Sequence, residues 1–524
     1  GGTSSESIPI KKINLNKDNN TTGLPGIENH LIKSGDIIVS DDIDNDSRFD
    51  FSKLRNRYEI KNYSCCSILL LPLVNRQNEI IGIAELINPR EKGSDKIKIF
   101  SPETISYMEA LSSQAAISLD NRRLLKAQKD LLDALIQLIA GAIDAKSPYT
   151  SGHCKRVPEL AQMLARVADE STEKPFDTFS MNEDEWYELY IASWLHDCGK
   201  VTTPEYVVDK STKLECIYNR IHEIRMRFEV LWRDAQIDYY KTLMDPNQDK
   251  TLVNQELENR YKQLQEDYAF IAEFNIGSEY TEDDSIKRIN EIASTSWYRH
   301  FDDRIGLSED ELKLKNQEKR TELPAKEYLL ADKQEHIIKR TDKGKPYGDN
   351  PHGFNMEVPD NEFNLGEIYN LSINRGTLTA EDRYKINEHI IQTIILLSKL
   401  PLPRELKRVP IWAGNHHEKL DGTGYPRGLT GNELSIPERI MAIADIFEAL
   451  TASDRPYKKA KTLSESIKIM SFMRNDEHIC PDLFDLFLSS GVHKEYAEAY
   501  LSHEQIDDVD ISIYLMNSDR AKRT

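Results

Sequence analysis

The sequence lacks several features that would each point to a particular class of protein. No run approaches the ~18 consecutive apolar residues of a membrane-spanning helix, and the first residues do not resemble a signal peptide. The six cysteines form no Cys-x-x-Cys pair and no disulfide-like spacing, which favours a reducing, cytoplasmic location. Positive charge is not in excess either, and the formal net charge of -20 argues against a nucleic-acid polymer as the main partner.

The length and composition predict a multidomain protein. A chain of 524 residues with 39% hydrophobic side chains can form two or three domains with sizeable cores. It opens on Gly1-Gly2-Thr3-Ser4-Ser5, a string typical of a cut inside a longer protein. Further regions, a membrane segment among them, are therefore compatible with the sequence before residue 1.

The N-terminal third has an α+β pattern. Residues 67–73 and 79–88 predict two strands, and residues 75–78 predict a polar turn between them. Ser101-Pro102-Glu103 then predicts a helix start, with serine as the N-cap and proline at the first helical position. The predicted helix runs through residues 111–117.

This hairpin and helix resemble the second half of a GAF domain. The resemblance rests on Gly82-Ile83-Ala84-Glu85-Leu86-Ile87-Asn88, on Phe100-Ser101-Pro102-Glu103 and on residues 111–119. It covers roughly residues 1–122, and the first strand of the family pattern is not evident. GAF domains are small-molecule sensors or dimerisation modules.

The chain departs from those GAF domains that bind cyclic nucleotides. Such members carry an Asn-Lys pair followed by Phe-x-x-x-Asp-Glu. Here Asn88-Pro89 and Phe100 are present, but Thr104-Ile105 stands where the acidic pair belongs. This difference argues against cyclic-nucleotide binding and leaves the GAF ligand open.

A helical linker is predicted to continue to about Ala145. Leu124, Leu131 and Leu138 recur every seven residues, a spacing that fits a short coiled coil between two chains. A helix packed on its own domain would explain the same pattern equally well.

The most unusual string of the chain is His416-His417-Glu418-Lys419-Leu420-Asp421-Gly422-Thr423-Gly424-Tyr425-Pro426. Imidazoles are the commonest side-chain ligands of catalytic metals, and glycines allow the following loop to turn tightly beside a ligand. Taken alone, the histidine pair could equally lie on the surface before a turn.

Other potential metal ligands accumulate after Ala145. His153 follows a short polar stretch, His196 and Asp197 form a doublet, His389 ends a helical pattern, and Asp445 lies inside an amphipathic one. Each residue alone has an ordinary explanation as a core, surface or capping group. Together, five histidines and two aspartates exceed what one metal needs and suit two ions that share a carboxylate. Imidazole with carboxylate favours iron, manganese or zinc over calcium or magnesium.

The chain resembles the HD-GYP phosphodiesterases in the order of its motifs. These motifs are His, His-Asp-x-Gly-Lys, His, His-His-Glu-x-x-Asp-Gly-x-Gly-Tyr-Pro, Asp and Arg-Pro-Tyr. The resemblance covers about residues 140–210 and 372–475. It implies an all-α HD-type fold and hydrolysis of the bacterial messenger cyclic di-GMP to linear pGpG, in some members onward to GMP. His389, His416 and His417 are the extra ligands that mark this branch of the HD superfamily.

The resemblance also implies roles for individual residues. One metal would be held by residues from three motifs: His153, His196, Asp197 and Asp445. The second would be held by the remaining histidines, with Asp197 bridging: His389, His416 and His417.

The substrate contacts implied by the resemblance lie around these ligands. Lys200 would contact the scissile phosphate beside the catalytic Asp197. Arg455 and Lys458 match a basic pair that holds phosphate or guanine, while Gly424 and Tyr425 belong to the loop that names the family.

The family motif is interrupted between Lys210 and Asn374. Residues 211–371 form an insertion whose first part has helical spacing and whose later part, residues 342–361, is predicted to be loop. The insertion could be a solvated helical hairpin, a lid or a partner-docking arm. It also contains His222, a rival of His389, although the string before His389 fits the family far better.

These observations predict an α+β GAF sensor domain followed by an all-α HD-type domain with a large helical insertion. The predicted boundaries are 1–122 for the GAF domain, 123–145 for the linker, 146–500 for the HD-GYP domain and 501–524 for a C-terminal tail. The expected functions are hydrolysis of cyclic di-GMP, hydrolysis of another cyclic dinucleotide such as cyclic GMP-AMP, or non-catalytic reception of cyclic di-GMP. A homodimer is expected.

The sequence also bears on the number of metals. HD-GYP relatives that hold three metals resemble one another in having a glutamate four residues before the first histidine. In this chain the corresponding residue is Tyr149. A neutral phenol with a reference pKa near ~10 is a poor ligand. Two divalent ions, iron or manganese, are therefore predicted.

Overall fold

The computed structural model describes residues 26–52, 54–55, 64–91, 96–146, 152–277, 283–341, 347–452 and 460–516. The chain divides into two compact units, residues 1–134 and residues 135–524. Each unit has its own buried core and is described separately.

A three-stranded antiparallel sheet organises the N-terminal unit. Its strands are β1 (Ile38–Ser40), β2 (Ile68–Val74) and β3 (Ile80–Ile87), with β2 in the centre. Successive side chains of a strand point to opposite faces. Leu70 therefore packs with helix α1 (Gly26–Ser34), while Leu69 packs on the other face with Phe100. The predicted hairpin is confirmed.

A single long helix, α2 (Pro102–Asp144), begins where the sequence predicts it. The Ser101 hydroxyl accepts a hydrogen bond from the Thr104 amide at 3.2 Å and so caps the first turn. Further along, Leu124, Leu131 and Leu138 expose 55%, 61% and 67% of their surface. The leucines at seven-residue spacing are therefore not covered by the part of the chain that the structure describes.

The helices that surround the candidate site belong to the second unit. All of them except α10, which is the last helix of the insertion, lie before or after the insertion in sequence: α3 (His153–Glu170), α4 (Glu183–Leu195), α5 (Glu205–Val208), α10 (Glu367–Leu371), α11 (Ala380–Ser398), α12 (Val409–Gly414), α13 (Ile436–Thr451), α14 (Leu463–Asn475), α15 (Pro481–Ser489) and α16 (Val492–Tyr500). Helix α3 packs against α4 and α13, and α11 packs against the short 3-10 turn Cys198–Thr202. This arrangement brings the segments before and after the insertion together.

The insertion begins with an antiparallel pair of helices and continues as mixed structure. Its helices are α6 (Ile221–Leu243), α7 (Lys250–Ile276), α8 (Asp283–Ala293) and α9 (Glu309–Lys315). Its strands pair as two small two-stranded antiparallel sheets, which the sequence did not predict: β4 (Ser296–Arg299) with β5 (Ala325–Tyr328), and β6 (Ile337–Lys339) with β7 (Asn361–Asn364). The helical prediction holds for its first part, and residues 347–360 are loop as predicted.

A buried lysine joins the two ends of the insertion. Lys213, at its start, donates hydrogen bonds from Nζ to the carbonyls of Leu371 and Ile373, at 2.9 and 2.8 Å, at its end. Burial lowers the pKa of Lys213 to about 8. The insertion is thus closed at its base like a loop.

The last part of the insertion packs back on the helical domain. Phe354 is buried with Ile390 and Ile394 of α11, and Tyr425 packs against the same cluster. The Asn355 amide donates a hydrogen bond to the Pro426 carbonyl at 2.7 Å. The insertion therefore forms part of the support of the Gly-Tyr-Pro loop.

No helix among the described ranges is long and apolar enough to cross a membrane.

The N-terminal unit offers a direct test of one buried side chain. Asn88 Oδ1 accepts hydrogen bonds from the amides of Cys66 and Ser67 at 2.8 and 3.0 Å, and its Nδ2 donates to the Ser64 carbonyl at 2.6 Å. We expect Asn88→Ala to lower the local free energy of unfolding of this hairpin by about 2 kcal/mol, because two amides and a carbonyl lose their partner. Hydrogen exchange of peptides covering β2 and β3 measures this.

Asn78→Ala is the matched control, since Asn78 is exposed and also has a positive φ, 62° against 47° for Asn88. Both variants share the backbone cost of alanine in this region. Equal loss of protection in the two variants would contradict the role assigned to the Asn88 hydrogen bonds.

Candidate metal centre

The carboxylate of Asp197 lies at the centre of the ligand-type residues. It is buried, with 2% of its surface exposed, and stands between α4 and the Cys198–Thr202 turn. Its Oδ2 lies 3.2 Å from Nε2 of both His153 and His196. Its Oδ1 lies 3.1 Å from Nε2 of His389. The two oxygens of one carboxylate therefore face different histidines.

Two groups of potential ligands flank this carboxylate. The donor atoms of His153, His196 and Asp445 lie within 4.8 Å of one another, as do those of His389, His416 and His417. A third set, His196, Asp197 and His416, connects the two. All seven residues predicted as metal ligands are thus brought together by the fold.

The ring orientation of four histidines is set by a hydrogen bond on the nitrogen that faces away from Asp197. Nδ1 of His196 and of His416 donates to the carbonyls of Ser193 and Ala413, at 2.6 and 2.7 Å. Nδ1 of His389 donates to the carbonyl of Ile386 in the same way. His153 Nδ1 instead pairs with the carboxylate of Glu448.

For His196, His389 and His416, these hydrogen bonds to carbonyls place the proton on Nδ1 and leave the lone pair on Nε2, directed into the centre. Nε2 of His416 is buried and has no hydrogen-bond partner in the described part of the chain. An orphaned buried ring nitrogen is costly unless something binds it. A histidine held through its outer nitrogen is also the usual arrangement around a metal. The residues therefore fit a divalent metal centre.

The protonation states also suit a cation. Burial tends to raise the pKa of Asp197, but Lys200 and His196 outweigh it and hold this pKa well below its usual range. Burial lowers the pKa of His416 to about 4, helped by His196. An ionised carboxylate and a neutral imidazole are the forms that bind metal.

Three carboxylates surround the imidazole of His153. Burial would lower its pKa, but Asp197, Asp445 and Glu448 together raise it well above the usual range. Arg156 in turn holds Glu448, with Nε 2.7 Å from Oε1. These carboxylates therefore favour a cation at His153, and a metal bound here would compete with the proton.

Gly199 connects the turn that carries Asp197 to helix α11. A Cβ at this position would lie 1.8 Å from the His389 carbonyl oxygen and 2.6 Å from the Thr393 amide. The Gly199 amide also donates to Thr393 Oγ1 at 2.8 Å. Only glycine permits this approach, which explains physically why a glycine stands in His-Asp-x-Gly-Lys.

Lys200 reaches into the centre from the same turn. Its Nζ lies 2.6 Å from Asp197 Oδ2. Burial tends to lower the Lys200 pKa, but Asp197 outweighs this and raises it. The ammonium group is therefore charged beside the carboxylate, where it can also meet an anionic ligand.

The Gly-Tyr-Pro loop is held by a buried glutamate. The Glu418 carboxylate accepts hydrogen bonds from the amides of Arg427 and Leu429 at 2.7 and 2.8 Å. Gly424 passes so close to this segment that a Cβ would lie 2.3 Å from the Lys419 amide. The Tyr425 ring stacks on His417, with centroids 4.8 Å apart. Gly424 and Tyr425 therefore support the centre structurally.

Three residues discussed from the sequence lie outside the described residues: Tyr149, Arg455 and Lys458. His222 lies at the start of α6, exposed, with Nδ1 3.2 Å from Arg225. His389, and not His222, lies beside Asp197.

Sequence reasoning missed Glu448, Arg156 and Glu418. Glu448 follows Asp445 by three positions on one helix, so both face the same side. That spacing could have indicated that Glu448 lies near the centre. It could not have indicated that Glu448 contacts His153 and Arg156, which belong to another helix.

Comparison with protein families identifies two domains. Residues 8–119 match the GAF domain, and residues 324–483 match the HD domain. The second match begins inside the insertion and does not include His153, His196 or Asp197. The fold supplies these three residues from the segment before the insertion.

Comparison with individual proteins finds several that are named as cyclic dinucleotide phosphodiesterases. The chain is 48% identical over 80 residues to 3'3'-cGAMP-specific phosphodiesterase 1 of Vibrio cholerae, which covers 15% of this chain and 18% of that protein. It is 41% identical over 76 residues to a cyclic di-GMP phosphodiesterase of Pseudomonas aeruginosa, 14% of this chain and 18% of that protein. It is 33% identical over 132 residues to a cyclic di-GMP phosphodiesterase of Thermotoga maritima, 25% of this chain and 34% of that protein.

The matched segments span about a fifth to a third of the length of these curated relatives. Both kinds of relative are named for cleavage of a cyclic dinucleotide. The two family matches identify a GAF domain followed by an HD domain in this chain.

Proposed function

We propose that this chain is a metal-dependent phosphodiesterase that hydrolyses cyclic di-GMP to linear pGpG, with GMP as the product of a second cleavage. The observation that carries the proposal is the position of Asp197, whose Oδ2 faces His153 and His196 while Oδ1 faces His389. A single carboxylate between two sets of imidazoles is the arrangement expected of a bridging ligand.

The proposal assigns two divalent ions, iron or manganese, to the seven residues. The first would be held by His153, His196, Asp197 and Asp445, and the second by His389, His416 and His417 with Asp197 shared. Two adjacent ions supply an activated water at neutral pH and neutralise charge on a phosphoryl group.

The chain's own residues would position the substrate and complete the charge balance. Lys200 Nζ, 2.6 Å from Asp197, would pair with an oxygen of the scissile phosphate. Glu448 would keep the His153 ring oriented, and Tyr425 would keep His417 in place. Arg455 and Lys458 are proposed as further phosphate or guanine contacts.

The alternative substrate is 3'3'-cGAMP. The observation that favours it is the name of the Vibrio cholerae relative, which is 48% identical over 80 residues. Both dinucleotides present the same phosphodiester chemistry and differ in one base. A non-catalytic receptor is the third hypothesis, and the complete set of ligands argues against it, because receptors of this type lose ligands.

The proposal extends to regulation and assembly. The GAF domain would sense a small molecule or mediate dimerisation, and α2 would form a parallel coiled coil with a second copy. The exposed leucines of α2 support this, because leucines at seven-residue spacing fit a coiled-coil seam. The six free thiols support a reducing, cytoplasmic setting.

The activity is tested with purified, manganese- or iron-loaded protein and three substrates: cyclic di-GMP, 3'3'-cGAMP and cyclic di-AMP. We expect hydrolysis of cyclic di-GMP, and a loss of more than about 100-fold in Asp197→Ala, because this variant removes a ligand of both ions. His222→Ala is the control and should keep full activity. Intact dinucleotides after incubation with metal-loaded wild-type protein would refute the proposal.

The number of ions is a separate prediction. Elemental analysis of anaerobically purified protein should give two divalent ions per chain, because the seven ligands form two groups that share one carboxylate. His389→Ala should lower this number, whereas His222→Ala should not. A third well-occupied ion, with Tyr149 or another group bound to it, would contradict the prediction.

Dimerisation through α2 is tested by charge placement on the helix. Leu131→Glu puts a carboxylate in the exposed leucine stripe and should shift the mass measured by light scattering at micromolar concentration from dimer to monomer. Lys129→Glu introduces the same charge roughly 160° away around the helix and should leave the dimer intact. A monomeric wild-type protein would exclude this interface.

A further inference from the structure

A cavity of about 380 Å³ opens directly beside the candidate metal centre. His417, Asp445 and Tyr425 are among the residues that line it. Its volume lies within the range of about 300–1,000 Å³ that is typical of small-molecule sites. The cavity extends beyond the space that a single phosphate at the metals would fill.

Two segments that are distant in sequence form one polar side of the cavity. The Leu420 amide donates a hydrogen bond to the Glu477 carbonyl at 2.9 Å, which places Lys419 next to His478. Lys419 is half-buried, and its Nζ donates to Oγ1 of the exposed Thr423 at 3.3 Å. A cation and an imidazole thus line the same wall.

A second lysine lines the cavity after the end of α13. The carbonyls of Lys461 and Thr451 both accept a hydrogen bond from the buried Gln505, at 3.2 and 2.8 Å, so the backbone of Lys461 is anchored. Neither Lys419 nor Lys461 has a carboxylate within salt-bridge distance among the residues described. Lys419 is near enough to Asp421 to lower the pKa of that exposed carboxyl. Two lysines that line one cavity nevertheless favour an anionic ligand here.

The remaining wall is apolar. Ile446, Ile469 and Met473 face the cavity from α13 and α14. Flat aromatic ligands bind well to such surfaces when polar groups stand at the edge. A cavity with cations on one wall and aliphatic side chains on another suits a phosphate joined to a purine nucleoside.

We propose that Lys419, Lys461 and His478 form a subsite for the half of the cyclic dinucleotide that is not being cleaved. The two lysines bind its second phosphate, and the apolar wall receives its purine, with His478 at the edge of the base. This assignment rests on the proposed function, since it names where the rest of that substrate lies.

The state of His478 supports this division of roles. Burial lowers its pKa below the usual value, and Lys419 lowers it further. The imidazole is therefore neutral at pH 7 and can donate one hydrogen bond and accept another. The lysines are then left as the groups that carry positive charge in the subsite.

The experiment compares a substrate that fills the subsite with one that does not. Cyclic di-GMP has two phosphates and two purines, whereas bis(p-nitrophenyl) phosphate has only the phosphodiester to be cleaved. KM and kcat are measured for both substrates with the metal-loaded wild-type protein and with Lys419→Ala, Lys461→Ala and His478→Ala. Lys468→Ala is the control, since Lys468 is exposed on α14 beside Ile469 but does not line the cavity.

We expect each lysine variant to raise KM for cyclic di-GMP about tenfold, the effect of one charge-assisted hydrogen bond. The same variants should cleave bis(p-nitrophenyl) phosphate at the wild-type rate, which also shows that they fold. Lys468→Ala should match the wild type with both substrates. The two lysine variants are independent, so a folding failure of one leaves the other as the test.

The outcomes separate the subsite from the proposed function. If wild-type protein cleaves cyclic di-GMP and the KM of both lysine variants matches that of Lys468→Ala, the subsite is refuted and the function stands. Equal losses with both substrates would show a general role in the centre and would also refute the subsite. Wild-type cleavage of bis(p-nitrophenyl) phosphate without cleavage of any cyclic dinucleotide would overturn both proposals.

Discussion

The structure around the candidate centre depends on one buried carboxylate and the charges that keep it ionised. Asp197 has almost no contact with solvent, and a buried carboxylate is unfavourable unless cations or hydrogen bonds compensate it. Lys200 and the surrounding imidazoles provide this compensation from several helices. Each element that carries a partner of Asp197 must therefore be held at a fixed distance, which the close packing at Gly199 and the Nδ1 hydrogen bonds achieve.

The two sides of the centre are supported in different ways. Around His153, the support is electrostatic, because Glu448 binds the ring and Arg156 binds Glu448. Around His417, the support is a stacked tyrosine on a loop whose amides are held by Glu418. The second side also contacts the insertion through the Asn355 amide and Phe354. The insertion is thus structurally continuous with the centre.

The residues predicted as metal ligands could be selected from the sequence because their motifs are local information. Doublets such as His196-Asp197 and the Gly-Thr-Gly-Tyr-Pro loop are visible without knowledge of the fold. The two small sheets of the insertion were not predicted. Their strands are only three or four residues long, and each is stabilised by pairing with a strand that is distant in sequence. Lys419 and His478 are neighbours in the structure but lie 59 positions apart in the sequence, 478 minus 419. No local pattern therefore predicts that they are close.

The choice between His389 and His222 illustrates the same limit. Both follow a helical pattern with similar residues, and the string before His389 favoured it only by resemblance. The structure separates them physically, because α11 packs against the Cys198–Thr202 turn whereas His222 is exposed on α6. Tertiary packing, which spacing alone does not report, decides which imidazole can reach Asp197.

The insertion between the two halves of the ligand set has a consequence for synthesis on the ribosome. His389 follows Asp197 by 192 positions, 389 minus 197. At roughly 5–20 residues per second, the early ligands wait about 10–40 s for the late ones. During that interval Asp197, His196 and His153 lack the later helices that bury them, so these three side chains stay accessible to solvent. The group around Asp197 is therefore complete only after the insertion has been synthesised and closed at Lys213.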